Sequence, residues 1–259
     1  MAGKMHHIHL APGDVGRYVL LPGDPGRVAE IATYLDHARP VASNREYTTY
    51  TGFIDGMKVS VMSTGIGGPS TVIGVEELIK IGADTFIRVG TCGGMQEHIP
   101  VGDVVIANGA IRAEGTSHEY MPAAFPAVSD FDVLCALKEG AEQAGVPHHV
   151  GVVQCKDSFY GQHEPDTMPV APHLHAMWDA WVAGGCLASE METAALFILA
   201  SVRRVRAGSL CLVAGNGLRA SLGYQERSVQ NNEASIRTAV EGLRCLIRRD
   251  SGKESAAGQ

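Results

Sequence analysis

Short apolar runs alternate along the chain with longer segments of helical period. Tyr18–Leu21 (YVLL) reads as a strand and Pro25–Leu35 as a helix; Lys58–Ser63 (KVSVMS) as a strand and Ser70–Ile81 as a helix. Thr85–Val89 (TFIRV), Asp103–Ala107 (DVVIA), Val150–Gln154 and Leu210–Ala214 have the length and β-branched content of strands. Phe131–Ala144 and Val229–Arg248 carry helical periodicity. Ser189–Val202 reads as a helix, because Ser189 and Glu192 stand at the capping-box spacing. Alternation of this kind predicts an α/β protein with a largely parallel sheet. Such a sheet is buried on both faces, which suits the unbroken VVIA and LCLVA runs. Its ligands bind beyond the carboxyl ends of the strands, so residues that directly follow strands are the places to look for chemistry.

Composition narrows the picture. Apolar residues are 45% of 259 and charged residues 19%, ordinary for a globular core and wrong for a disordered polyelectrolyte. The formal charge of −7 argues against broad binding to nucleic acid or membrane surfaces, though it leaves room for a local basic pocket. No transmembrane run or signal-peptide core is evident, so a cytoplasmic protein is expected. The cysteines (92, 135, 155, 186, 211 and 245) form no CxxC and sit mostly in apolar strings, which predicts free thiols. The 31 glycines exceed the usual share and suggest tight turns or close approach of backbone to a ligand. One domain is expected over residues 1–250, with 251–259 as a flexible tail.

Five segments can carry chemistry. Pro22-Gly23-Asp24-Pro25-Gly26-Arg27 joins a strand to a helix, offering free N–H groups and an arginine fork to an anion. It reads equally as a turn with a solvated arginine. Ser63-Thr64-Gly65-Ile66-Gly67-Gly68-Pro69-Ser70 is a second glycine-rich turn, either a backbone cradle or a turn packed under the sheet. Arg88 interrupts an apolar strand ahead of Gly90-Thr91-Cys92-Gly93-Gly94, and a charge there needs an anion or a structural carboxylate beside it. Glu190 and Glu192, placed on one helix, would diverge by about 200° and could not share a site. They are read as one pocket-facing carboxylate and one with another role, or as acids of a helix's first turn. Asp157-Ser158-Phe159-Tyr160-Gly161-Gln162-His163-Glu164 follows a strand; Phe159 could stack on a ring and the Gln162 amide could match the O/NH edge of a base. Its alternative is a polar loop with a core phenylalanine. The histidine pairs lack zinc spacing, and no GxSxG elbow occurs.

Together with Asn44–Tyr50 (NREYTTY) and Ala124–Phe131 (AFPAVSDF), these segments resemble, in order, the nucleoside phosphorylase-I family, and within it the uridine phosphorylases. The resemblance runs from about His7 to Arg248. It implies a single α/β domain with a mixed, mostly parallel central sheet flanked by helices. It also implies cleavage of a nucleoside by inorganic phosphate to a free base and ribose 1-phosphate. Gly23, Arg27, Arg45, Arg88 and Thr91 would bind phosphate, Arg45 reaching a neighbouring subunit's site. Met191 and Glu192 would contact ribose, Glu192 through the 2′- and 3′-hydroxyls, and His7 would close the neighbour's ribose pocket. Phe159 and Gln162 would face the base. Arg88, Thr91 and Glu192 would stand closest to the reaction. Residues acting in trans imply a homo-oligomer, at least a dimer, with hexamers the family habit. No cofactor is implied beyond phosphate as co-substrate. Glu46, Ile66 and Ser70 match positions that hold an intersubunit potassium ion in some members.

Two departures bear on the base. Uridine phosphorylases often carry Gln-x-Arg at this point, whereas this chain has Gln162-His163-Glu164. His163 or Arg219 is therefore expected to supply the missing donor. Purine-cleaving relatives place an acidic Asp after the strand equivalent to Leu210–Ala214, and here that position is Asn216, which cannot supply a proton as Asp does. A pyrimidine nucleoside, uridine, is the expected substrate. The alternatives are a purine nucleoside phosphorylase acting on inosine or guanosine, a hydrolytic nucleosidase, and a non-catalytic nucleoside-binding protein.

Overall fold

The structure, a computed structural model, describes residues 3–229 and 231–257. The chain begins its regular structure with β1 (Tyr18–Pro22), α1 (Pro25–Ala32), β2 (Asp36–Asn44), β3 (Tyr47–Ile54), β4 (Met57–Met62), α2 (Gly68–Lys80) and β5 (Thr85–Gly94). It continues through β6 (Val104–Ala113), α3 (Thr116–Tyr120), β7 (Ala127–Val128), α4 (Phe131–Gln143), β8 (His148–Lys156) and α5 (Phe159–His163). The last elements are α6 (Ala171–Ala183), β9 (Ala188–Glu190), α7 (Thr193–Arg203), β10 (Arg206–Gly215), α8 (Gly217–Ser221) and α9 (Glu233–Ala257). Local chemistry sets several helix starts. Asp24 caps α1, its Oδ1 accepting from Gly26 N at 2.8 Å, with Pro25 opening the first turn. Asp130 does the same for α4 through Val133 N at 3.0 Å.

All strands join one mixed sheet. β4, β1, β5 and β10 run parallel to one another, and so do β6, β8 and β9. β10 meets β6 antiparallel, and β9 returns antiparallel to β5, pairing Gly93 with Ser189 and Gly94 with Ala188. The strands β5, β10, β6, β8 and β9 therefore close into a ring, while β4, β3 and β2 extend from β1 as an antiparallel meander. The closure matters for chemistry, because it brings the ends of β5, β8 and β9 to one place.

Side chains alternate between two cores, as the period of two requires. Val19, Leu21, Phe86, Val105, Cys211 and Val213 point to the face covered by α2 and α7. Tyr18, Leu20, Ile87, Val104, Leu210 and Leu212 point to the face covered by α1, α4 and α9. The expected α/β architecture and strand–helix alternation are present. The cysteines are all free, and most are buried.

Several elements differ from expectation. Ser189–Val202 is not one helix: Ser189 and Glu190 end the short strand β9, and α7 starts only at Thr193. The polar β2 and the β3 hairpin partner were not anticipated, nor was α6, none of whose residues is buried. The helix expected to end at Arg248 continues to Ala257, so residues 251–257 extend α9 where a tail was expected; 258–259 lie outside the described residues. Its last anchored turn is functional in packing, since Asp250 is buried against Tyr18 and Arg206.

Candidate active site

Arg88 projects from β5 on the same face as Phe86, toward α2 and α7. It is 5% exposed. Its Nε donates to Glu190 Oε2 at 2.9 Å, and its Nη2 pairs with Glu192 Oε2. The expectation that the two carboxylates would diverge is thus overturned. That geometry holds within one helix, and here a strand end and a helix cap turn both toward the same guanidinium. Its Nη1 takes no partner among the described residues. Burial opposes the charge of Arg88, but Glu192 and Glu190 outweigh it and raise its pKa.

Glu190 also caps α7. It accepts from Glu192 N at 2.9 Å and Thr193 N at 3.0 Å, so a carboxylate sits at the positive end of that helix. Glu192 is 4% exposed and accepts from Gly67 N at 2.5 Å. Burial pushes its pKa up, Arg88 opposes that, and Glu190 adds to it. Glu192 thereby joins the glycine-rich turn ahead of α2 to the arginine on β5. Met191 lies between the two acids, half-buried.

Gly90 makes room for this arrangement. A Cβ there would lie 2.7 Å from Arg88 Nη2 and 2.9 Å from Cys211 Sγ. Thr91 follows on the same strand, half-buried and paired in register with Leu212 of β10. Gly23 receives Gly65 N on its carbonyl at 2.9 Å, which ties the turn after β1 to the second glycine-rich turn. Arg27, in the first turn of α1, is half-buried.

Arg45 is exposed at the tip of the β2–β3 hairpin, with a φ of 53°. Its neighbour Asn44 donates to His7 O at 2.7 Å. His7 is held by Glu77, through its backbone N–H at 2.9 Å and its ring Nδ1 at 2.7 Å. His7 and the Arg45 hairpin therefore share one surface, and no hydrogen bond joins either to Arg88 or Glu192. Glu46 and Ser70 converge on Gly65, whose φ is 71°: a Cβ there would lie 2.8 Å from Ser70 Oγ and 2.9 Å from Glu46 Cγ. Ile66 is 76% exposed beside them.

A cavity of about 1520 Å³ opens next to this cluster. Its walls include Gly93 and Gly94 from β5, Gln154 and Lys156 from β8, and Phe159, Gln162 and His163 of α5. Phe159 is 51% exposed and its ring lies 4.2 Å from that of His163. Ser189 Oγ gathers three groups: Lys156 Nζ at 2.6 Å, Gln162 Oε1 at 2.5 Å, and Gln154 Oε1. Burial lowers the pKa of His163, and the nearby Lys156 lowers it further.

Arg219, expected at the base, does not line this cavity. Its guanidinium pairs with Glu226, donates to Glu97 O at 2.5 Å and lies 4.2 Å over the Tyr224 ring. Asn216 does reach the cavity wall, but its amide is spoken for. Nδ2 donates to Gln96 O and Ile99 O, both at 2.9 Å, and Oδ1 accepts from Arg219 N at 3.2 Å. Sequence reasoning missed Lys156 and the pairing of Glu190 with Arg88. A lysine inside the apolar end of β8 was the available signal for the first.

A buried arginine between two acids, glycine-rich turns at strand ends and an adjoining cavity form one polar cluster at the edge of an α/β sheet. The chain belongs to the Phosphorylase superfamily, which it matches over residues 17–248. It is 59% identical to a uridine phosphorylase of Treponema pallidum (strain Nichols) over 246 residues, covering 95% of each chain. It is 45% identical over 256 residues to a uridine phosphorylase of Thermococcus kodakarensis, covering 98% of this chain and 91% of that one. A guanosine phosphorylase of Halorubrum lacusprofundi is 39% identical over 250 residues, covering 94% of this chain and 99% of the relative.

Proposed function

We propose that this protein is a uridine phosphorylase, converting uridine and inorganic phosphate to uracil and ribose 1-phosphate. The observation that carries the reading is Arg88, buried on β5 and held by Glu190 and Glu192, with no partner on Nη1 among the described residues. The similarity to uridine phosphorylases along almost the whole chain supports it.

In this reading a phosphate oxygen attacks C1′ of the ribose while the C1′–N1 bond breaks and its electron pair leaves with the base. Positive charge develops on the sugar and negative charge on the base. Arg88, Arg27 and the N–H groups near Gly23 and Thr91 hold the phosphate, which makes the attack effectively intramolecular. Glu192 accepts the ribose hydroxyls with the lone pairs that Arg88 and Gly67 leave free. Met191 packs under the ribose. Phe159 and Gln162 face the base across the cavity.

Arg45 and His7 are read as acting on a neighbouring subunit's site, which makes the working enzyme a homo-oligomer, a dimer at least and a hexamer by analogy. Their shared surface, joined by the Asn44–His7 hydrogen bond, supports this. A potassium ion between subunits would be held by Glu46, Ile66 and Ser70, of which Glu46 and Ser70 both pack against Gly65. A cytoplasmic setting suits the free thiols. Among the described residues no helix is long and apolar enough to cross a membrane.

The test is a product assay on a nucleoside panel, with and without phosphate. Uracil and ribose 1-phosphate from uridine, only when phosphate is present, is the expected result. Hypoxanthine or guanine from purine nucleosides with uridine untouched would overturn the base assignment. Turnover in phosphate-free buffer would overturn phosphorolysis.

A further inference from the structure

We propose that Lys156 is the cation of the base site: its ammonium donates to a carbonyl on the edge of the pyrimidine and takes up the negative charge that the base acquires as the C1′–N1 bond breaks. The inference rests on the uridine phosphorylase reading and adds a specificity residue to it.

The chemistry requires such a group. The electron pair of the broken bond spreads over the ring and onto its carbonyl oxygens, and a donor placed there before reaction stabilises the departing anion. Neither His163 nor Arg219 supplies a free positive charge there. Position 164 is a glutamate, Arg219 is committed to Glu226, Glu97 and Tyr224, and burial together with Lys156 pushes His163 toward its neutral form, which can donate a hydrogen bond but brings no charge.

Lys156 has the right placement. It ends β8 on the wall of the 1520 Å³ cavity, in the company of Phe159 and Gln162, and it is 7% exposed. Its Nζ makes one hydrogen bond, to Ser189 Oγ at 2.6 Å. No carboxylate lies within ion-pair distance of it among the described residues. An ammonium has three donors, so two remain for a ligand. Ser189 is also 2.5 Å from Gln162 Oε1, so the lysine and the base-facing glutamine are fixed to one hydroxyl. A buried cation without a counter-ion is costly to fold. Here the reaction itself supplies the anion. Burial lowers the lysine pKa, while the more distant Glu190 and Glu192 favour its charged form.

The experiment compares the full-length protein with Lys156→Met and Lys156→Arg on uridine and on 5-fluorouridine, whose base leaves more readily. The expected result is a fall of roughly 10²-fold in kcat/KM for uridine in Lys156→Met. The fall on 5-fluorouridine should be at least several-fold smaller, KM for phosphate should stay within about twofold, and Lys156→Arg should recover part of the loss. Phosphate should still raise the melting temperature of the methionine variant, which shows that the fold and anion site persist. If that variant does not fold, Lys156→Gln carries the same comparison. Uridine kcat/KM within about threefold of the parent would overturn the proposal. Equal losses on both nucleosides with a shifted phosphate KM would overturn it too, by assigning Lys156 a structural role. A parent enzyme that leaves uridine untouched would overturn the underlying reading before any variant is compared.

Discussion

Arg88 donates to Glu190 through Nε and pairs with Glu192 through Nη2, so residues 102 and 104 positions apart meet on one guanidinium. The two acids divide the work. Glu190 holds the arginine and caps α7, whereas Glu192 holds the arginine and faces the glycine-rich turn. Glu190→Ala would strip Arg88 of one partner and α7 of its cap. We expect a stability loss of about 3–5 kcal/mol in urea unfolding. Glu192→Gln keeps a polar acceptor of the same shape. It should cost roughly 10²-fold in kcat/KM for uridine while changing unfolding much less, which steady-state kinetics beside the same urea titration would separate.

Gly90 tests the arginine's seat without touching its charge. In Gly90→Ala the new methyl would press on Arg88 Nη2 and Cys211 Sγ, at 2.7 and 2.9 Å. Overpacking of this sort costs about 1–3 kcal/mol. The displaced guanidinium should raise KM for phosphate at least severalfold. A phosphate KM equal to the parent's would show that Arg88 does not set phosphate affinity.

Asn216→Asp is expected to damage the protein and to leave its base preference unchanged. The Asn216 amide donates to the carbonyls of Gln96 and Ile99, and a carboxylate would face both with no proton to offer. The cost should be about 1–3 kcal/mol in thermal unfolding. Adenosine should not become a substrate, because the new acid would stay turned to the Gln96 and Ile99 carbonyls, as the amide is. Efficient adenosine phosphorolysis by this variant would refute that account.

Acid stability should depend on Asp250. It accepts from Tyr18 Oη at 2.6 Å and from Arg206 Nη1 and Nη2 at 2.9 and 2.6 Å. Burial alone would raise its pKa, but Arg206 and Tyr18 outweigh burial and lower it. A carboxylate with a depressed folded pKa stabilises the fold above its ordinary value near 4 and loses that contribution as pH falls through the folded one. Asp250→Asn should therefore be less stable than the parent at pH 7 by about 2 kcal/mol, with the gap closing below pH 4. A gap that stayed constant from pH 7 to pH 3 would contradict the linkage.

Much of this was legible before any coordinates. The strands at 18–22, 57–62, 85–94 and 206–215 follow from local apolar runs, because burying both faces leaves no polar alternation to mistake for a helix. The glycine-rich turns and the arginine on β5 stood out for the same reason: charge and glycine are unusual where a buried strand ends. The edge strand β2 is mostly exposed, and its Asp-His-Ala-Arg-Pro start gives no strand pattern, so only its pairing with β3 makes it one. Glu190 and Glu192 were misread because local spacing favours a continuous helix from Ser189. Pairing with Gly93 and Gly94 across the closed ring holds that segment extended instead.

Local chemistry thus decided which residues could serve an anion and a sugar, since those properties belong to side chains and to the turns that carry them. Tertiary structure decided how they are combined. Closure of the ring from β5 through β10, β6, β8 and β9 brings Lys156, Ser189 and Arg88 to one end of the sheet. Such long-range pairings depend on registers between strands far apart in the chain, which no local pattern encodes.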